Sequence, residues 1–475
     1  MVSAEEHRCV LYLVYEPYNV DFGLKLAQYG REDGNFHVII WSPYYFEDTA
    51  FYQNDASGQG AIYINETNRD GSLAGLHDRL SGWFSASLAR LPVAQRASAS
   101  KAGSALLDKL EVSHPELASA AQQKLDTINR RINICEDWLV RLGVDALVLP
   151  EDNCERDSAC WVEAARLRGI PATVVTTAVA DPTAAETVYR DSDLHRVEGN
   201  LLDQVRVSLP HWLVEKADYA ITRLPISDAL SMELAGLAPP HPWINNSSSN
   251  IVVAVESDAL KDAYIKMGLD GSRFVSTGHP NIDLLHHSIV ERNSLFARAR
   301  AEHQLQADQP VCLLNVPPNR LGNRSAPGFD DYSDIVEALV AATKSGWQGH
   351  VIASPHPSMT ETERLLLQDC GCLVLNWPIA ELIAIADVFV TSRSSTIKWA
   401  LAASLPVVSV QIYDYEPAEA EFDQQTMKVS LQELHGHLQD FVSSPPARAD
   451  KVTAERWGIL DGCGMDRIVQ LAFRN

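Results

Sequence analysis

Short apolar runs rich in β-branched residues recur along the chain, separated by stretches with helical periodicity. CVLYLVY (9–15) and HVIIW (37–41) flank a helical stretch from about Val20 to Tyr29, which predicts a β-α-β opening. Further strands are predicted at 145–149, 171–176, 218–222, 251–255 and 273–276, with a helix at 158–168 among them. From Pro310 onward the alternation is more regular. Strands at 311–316, 350–354, 373–375, 387–391 and 406–410 are followed by helices near 332–345, 360–369, 379–385 and 394–403. Such alternation predicts parallel sheets covered by helices on both faces.

Two segments break the pattern. From about 65 to 142 the chain is rich in Ala, Leu, Lys and Gln and nearly free of glycine after Gly103, so a helical insertion is expected there. The stretch 449–473 reads as one more helix. The expected organisation is α/β, with two doubly wound Rossmann-like domains facing across a cleft. An N-terminal domain would span 1–285 with its insertion at 65–142. A second domain would span 286–455, and a closing helix 456–475.

At 475 residues the chain is long enough for two large domains at roughly 150 or more residues each. It carries 39 Lys and Arg against 62 Asp and Glu, a formal net charge of −23. A field of that sign repels polyanions, so a nucleic-acid partner is not expected. It disfavours anionic lipid as well, which leaves at most peripheral membrane association. No apolar run approaches the ~18 residues of a membrane span. The opening MVSAEEHRCVLYLVYEPY lacks the basic start and long apolar stretch of a signal peptide, so a cytoplasmic location is expected. The eight cysteines form no CxxC pair and are expected as reduced, buried thiols. The oligomeric state is open, a homodimer included.

In open parallel sheets, ligands sit beyond the carboxyl ends of the strands. The polar residues that follow each predicted strand are therefore the candidates. Ser392-Arg393-Ser394-Ser395-Thr396 follows DVFVT and opens a predicted helix, a setting that suits a phosphate; plain N-capping by Ser394 or Ser395 is the alternative. His356 stands between two prolines, with Pro357 on its far side, either to present its ring to a ligand or as a structural histidine. Asn319, Arg320 and the nearby Arg324 occupy the same rim. In the N-terminal half, Glu151-Asp152-Asn153 follows DALVL; acid/base or nucleophilic work is one reading, a solvated turn before the helix near Ser158 the other. Glu16, Tyr18 and Asn19 follow the first strand and are candidates for substrate contact. Neither GxGxxG nor GxxxxGK[ST] occurs, which disfavours dinucleotide and Walker-type sites.

Taken in order, these segments resemble the GT-B glycosyltransferases, most clearly over 251–410. IVVAVESDALKDAYIKMGLDGSRFVSTGHPNID is similar to the end of the first domain and the linker of that superfamily. AELIAIADVFVTSRSSTIKWALAASLPVVSV is similar to its nucleotide-diphosphate half-site, and LDGCGMDRIVQL to its closing helix. His356-Pro357 and Ser394-Ser395 resemble the HP and SS motifs of transferases that use cytidine nucleotides: bacterial sialyltransferases, capsule Kdo transferases and CDP-glycerol transferases. The resemblance implies that His356, Ser394, Ser395 and Thr396 hold CMP. It also implies transfer of Kdo or a sialic-acid-like acid from a CMP-sugar to a saccharide acceptor of a bacterial surface polysaccharide. Glu151 or Asp152 would be the base or nucleophile, with no metal or other cofactor. The acidic loop departs from the sialyltransferase pattern, because Asn153 stands where that pattern has glycine. The non-hydrolysing UDP-N-acetylglucosamine 2-epimerases share the fold, with a histidine–arginine pair where this chain has Pro317-Pro318-Asn319-Arg320. A non-catalytic GT-B binding module is the third reading.

Overall fold

The structure is a computed structural model that describes residues 8–33, 36–44, 46, 49–59, 61–66, 94–176, 182–303, 305–306, 309–321, 325–356, 358–392, 394–414, 425–444 and 450–474. It divides into two compact units. The first takes Met1–Val255, Tyr264–Val275 and Asp466–Asn475; the second takes Glu256–Ala263 and Ser276–Met465.

The first unit contains strands β1 (Arg8–Leu13), β2 (Phe36–Ser42), β3 (Ile62–Asn65), β4 (Ala146–Leu149) and β5 (Ala172–Val175). It continues with β6 (Leu213–Glu215), β7 (Ala220–Thr222), β8 (Val252–Val255) and β9 (Phe274–Ser276). Among the described residues one sheet has the order β3-β2-β1-β4-β5-β8-β9, parallel at each resolved register. Both its faces are covered, so β1 and β4 are almost uniformly apolar and buried rather than alternating. The segment expected as a sheet strand at 218–222 instead supplies β7, which pairs antiparallel with β6 in a separate two-stranded ribbon. Its partner LVE is only three residues long, too short a run to stand out as a strand.

The expected helical insertion is present as Lys101–Ser113 and Pro115–Arg141; its part over 67–93 lies outside the described residues. Proline at the first position of the second helix needs no N–H partner there, which separates the two helices at His114. Leu106, Leu110, Ala118 and Ala121 of the insertion bury themselves against Trp212, Leu230 and Met232. The insertion therefore builds its own hydrophobic cluster with the 199–235 segment.

The second unit contains β10 (Val311–Asn315), β11 (His350–Ser354), β12 (Leu373–Val374), β13 (Val388–Thr391), β14 (Val407–Gln411) and β15 (Met427–Ser430). They form a parallel sheet in the order β12-β11-β10-β13-β14-β15, the Rossmann arrangement. Side chains alternate across β10. Val311 and Leu313 pack with Ile385 and Phe389 on one face, while Cys312 and Leu314 pack with Leu339 and Val390 on the other.

Two helices differ from expectation. The one expected over 394–403 is only Ile397–Ala402, and the stretch 449–473 is two helices, Lys451–Trp457 and Gly464–Ala472. The break in the latter is pinned by Asp283, whose carboxylate accepts the Gly464 and Met465 N–H groups at 2.8 and 2.9 Å. Cysteine burial follows expectation for Cys9, Cys135, Cys160, Cys312 and Cys372; Cys463, beside that break, is exposed. No helix among the described residues is long and apolar enough to cross a membrane.

Candidate functional site

In each sheet the strand order reverses once, between β1 and β4 in the first unit and between β10 and β13 in the second. A crevice forms beyond the strand ends at such a reversal. The candidate residues collect at both points, and each point has its own chemistry.

In the first unit, Glu16 follows β1 and Glu151 follows β4. Arg156, further along the β4 loop, forms an ion pair with Glu16. Asn19 is buried, and its Oδ1 accepts the Glu16 N–H at 3.1 Å, so it shapes the loop from within. Tyr18 lies in the short helical turn Pro17–Asn19; its side chain lies outside the described residues.

The two adjacent carboxylates have different surroundings. Asp152 is 5% exposed, and its carboxylate accepts from Ser158 Oγ at 3.3 Å and from the Ser248 N–H at 3.2 Å. Its backbone exchanges two bonds of 2.7 Å with Asn246, the N–H to Oδ1 and the C=O from the N–H. Asn246 sits at φ +66°, a conformation asparagine tolerates better than most residues. Arg273 gathers the carbonyls of Ser247 and Ser248. Asp152 is thus the peg that fixes the 241–248 loop. Glu151 is half-buried, and Asn245 Nδ2 donates to its Oε2 at 3.3 Å. Burial raises the Glu151 carboxyl above its ordinary range. Arg156 and Asn153 pull it back in part, while Glu16 and Asp152 push it further up.

In the second unit, Asn315 at the end of β10 donates through Nδ2 to Thr391 Oγ1 at 3.0 Å and to Thr396 Oγ1 at 3.4 Å. Thr396 and Ser394 share a hydroxyl bond of 2.7 Å, and the Thr396 N–H reaches Ser394 Oγ at 3.3 Å. These side chains occupy the backbone before a helix can begin, which accounts for its late start at Ile397. At a turn and a half, Ile397–Ala402 supplies little macrodipole, so any anion here depends on hydroxyls and loop amides. Ser395 is exposed, and its hydroxyl makes no hydrogen bond among the described residues.

His356 is half-buried. Its Nδ1 lies 2.8 Å from Ser358 Oγ and accepts the Ser358 N–H at 3.2 Å, while Nε2 has no partner among the described residues. Burial and then the neighbouring Arg320 charge lower its pKa from the ordinary 6.5, which favours the neutral ring. Tyr413 holds the Arg320 loop, accepting the Arg320 N–H at 3.3 Å and donating to the Pro318 carbonyl at 2.9 Å. Arg320 and Asn319 are exposed, and Asn319 Oδ1 accepts the Leu321 N–H. Pro357, Arg393 and Arg324 lie outside the described residues.

Several neighbours of these groups escaped the sequence reading. Asn245 and Asn246 lie in a run, NNSSSN, that has polar turn chemistry but follows no predicted strand. Arg156 is far from Glu16 in sequence. Lys398, two residues beyond Thr396, is buried in an ion pair with Glu256, and Glu256 also accepts from Trp399 Nε1.

No protein-family model matches the chain, and no curated protein matches it. Solved structures do. The UDP-GlcNAc 2-epimerase from Neisseria meningitidis bound to UDP-GlcNAc is similar over 98% of this chain and 100% of that one, at 12% identity and TM-score 0.50. CalG4, the calicheamicin glycosyltransferase, covers 98% and 95%, at 14% identity and TM-score 0.48. The wall teichoic acid polymerase TagF with CDPG covers 98% and 88%, at 10% identity and TM-score 0.48. At such low identity a likeness speaks for architecture alone. The chain has the GT-B fold, two Rossmann-like α/β domains built on parallel sheets.

Proposed function

We propose that the protein is a glycosyltransferase that moves Kdo or a sialic-acid-like sugar from a CMP-sugar to a saccharide acceptor in the cytoplasm. The observation that carries this reading is the cluster at the reversal point of the second unit. Ser394, Ser395 and Thr396 follow β13 and His356 follows β11, at the carboxyl ends of the two strands that flank β10, with Arg320 close enough to act on His356. Hydroxyls, amides and the Arg320 guanidinium suit a single phosphate, and they stabilise a departing CMP without needing a metal ion. His356 Nε2 is open to the nucleotide. In the first unit Glu151 is the base. As the acceptor hydroxyl attacks the anomeric carbon, its proton passes to Glu151, and the electron pair of the breaking carbon–oxygen bond leaves with CMP. A carboxylate whose pKa is raised is a better proton acceptor at neutral pH. The reading favours Glu151 over Asp152, whose oxygens are already engaged.

A thermal-shift panel with CMP, CDP, UDP and GDP tests the donor. Stabilisation by CMP that weakens at least about tenfold in Ser394→Ala/Ser395→Ala supports the assignment. No shift with any nucleotide removes it and favours a non-catalytic binding module. The second reading is a UDP-GlcNAc 2-epimerase, the activity named for one structure of the same architecture. Incubation with UDP-GlcNAc and no acceptor separates the two, since only an epimerase changes that substrate.

A further inference from the structure

Within the first unit, beside the Glu151 loop, lies a cavity of about 600 Å³. This is the size of a ligand pocket and more than a lone monosaccharide fills. Cys154–Asp157, the continuation of the Glu151 loop, forms one edge, and the insertion helix Pro115–Arg141 forms another through Lys124, Ile128 and Arg131. Ile128, Leu224, Pro225 and Met232 give it an apolar wall. Leu224 and Met232 belong to the hydrophobic cluster of the insertion, and Ile128 packs against it, so the wall is an open side of that cluster.

The charged side chains at its edge are matched. Lys124 pairs with Asp228, Arg131 with Asp157 and Glu66, and Arg156 with Glu16. An anionic occupant would find no cation to spare among them, whereas hydroxyl groups can share the lone pairs and N–H groups of such pairs. Tyr189, stacked on His195 at 4.1 Å between ring centroids and with the Arg223 guanidinium 5.1 Å from its ring centroid, adds an aromatic side chain to the lining.

We propose that this cavity binds the acceptor, and that the acceptor is an uncharged saccharide carrying an apolar aglycone. The aglycone lies on Ile128, Leu224 and Met232, and the sugar meets the ion-paired edge formed by Lys124, Arg131 and Cys154–Asp157. This deepens the transferase reading and rests on it for the word acceptor; the cavity and its chemistry do not depend on the donor.

Titration calorimetry on the full-length protein tests it with n-octyl β-D-glucopyranoside below its micelle concentration, methyl β-D-glucopyranoside and glycerol 1-phosphate as probes. The octyl glucoside is expected to bind saturably at one site, at least about tenfold tighter than the methyl glucoside, and glycerol 1-phosphate not to compete. Ile128→Glu, at a half-buried position, is expected to weaken the octyl glucoside about tenfold or more while leaving the CMP thermal shift unchanged. Lys124→Ala, at the charged edge one helical turn before Ile128, serves as a second variant and lowers affinity less. Unsaturable binding, equal binding of the two glucosides, or wild-type affinity in Ile128→Glu overturns the proposal. If the octyl glucoside binds through Ile128 but no nucleotide stabilises the protein, the cavity stands and the transferase reading falls.

Discussion

Glu151 and Asp152 are neighbours with separable roles, and mutating each should move a different observable. Replacing Asp152 by alanine removes the acceptor of two hydrogen bonds, from Ser158 Oγ at 3.3 Å and the Ser248 N–H at 3.2 Å. Bonds to a charged acceptor contribute about 1.5–3 kcal/mol each, and both are long, so the lower end applies and the gross loss is about 3 kcal/mol. Part is offset, because burial works against the Asp152 charge and raises its pKa. The expected net loss is about 2 kcal/mol, while Asp152→Asn, which keeps the shape and an acceptor oxygen, should cost under about 1 kcal/mol. Glu151→Gln keeps an acceptor oxygen for the weak contact with Asn245 and should leave stability nearly unchanged. Turnover should behave the other way. Losing a general base costs about 10²–10⁴-fold, whereas Asp152→Asn should retain most activity. Guanidinium unfolding midpoints and CMP release from a CMP-sugar measure the two axes. If Asp152→Asn abolishes turnover at an unchanged midpoint while Glu151→Gln stays active, the roles assigned here are reversed.

Other expectations follow from individual groups. Lys398→Met leaves the Glu256 carboxylate buried with Trp399 as its one donor among the described residues, and should cost about 3–5 kcal/mol in chemical denaturation. Adding Glu256→Gln should recover much of that loss, and a simple sum of the single effects would refute the coupling. The folded-state pKa of His356 is depressed, so the neutral ring contributes stability above its unfolded value near 6.5, and this is lost as pH falls through the lower folded value. Calorimetric CMP affinity should accordingly be flat from pH 8 to about 6.5, and a titration midpoint above 6.5 would contradict that environment. Of the buried thiols and Cys463, only Cys463 should react quickly with a thiol reagent in the native protein.

Most of the second unit was legible because β10 to β14 are apolar runs punctuated by Pro and Gly, and buried parallel strands need little else. β3 and β15 were missed; each is four residues long, and MKVS has two exposed positions that blur its pattern. A single domain boundary could not express the path of a chain whose 256–263 segment packs with the second unit while Tyr264–Val275 returns to the first. At the candidate sites, rank by strand end picked Glu16, Glu151, His356 and Ser394–Thr396, and the structure sets each of them beyond a strand end. It could not separate Asp152 from Glu151, because the contacts that distinguish them come largely from a loop about 95 residues away.

The formal net charge of −23 bears on how a nucleotide would be held. Long-range attraction of a phosphate is unavailable to such a chain, so binding at the second unit must come from short-range groups. Those at hand are hydroxyls of Ser394, Ser395 and Thr396, loop amides, the neutral His356 ring and the exposed Arg320. Salt screens charges and leaves hydroxyl and amide bonds largely untouched, and the screening length falls from about 10 Å at 0.1 M to about 3 Å at 1 M. Two opposed effects then act on CMP: salt weakens its attraction to Arg320 and also weakens its repulsion by the acidic surface. They should nearly cancel, so CMP affinity should change by less than about threefold between roughly 0.05 and 0.5 M NaCl. In Arg320→Ala the attraction by that guanidinium is gone, so affinity should rise with salt relative to the wild type. A fall of about tenfold or more in the wild type over the same range would mean that several cations hold the phosphate, and that the hydroxyl loop is not its main support.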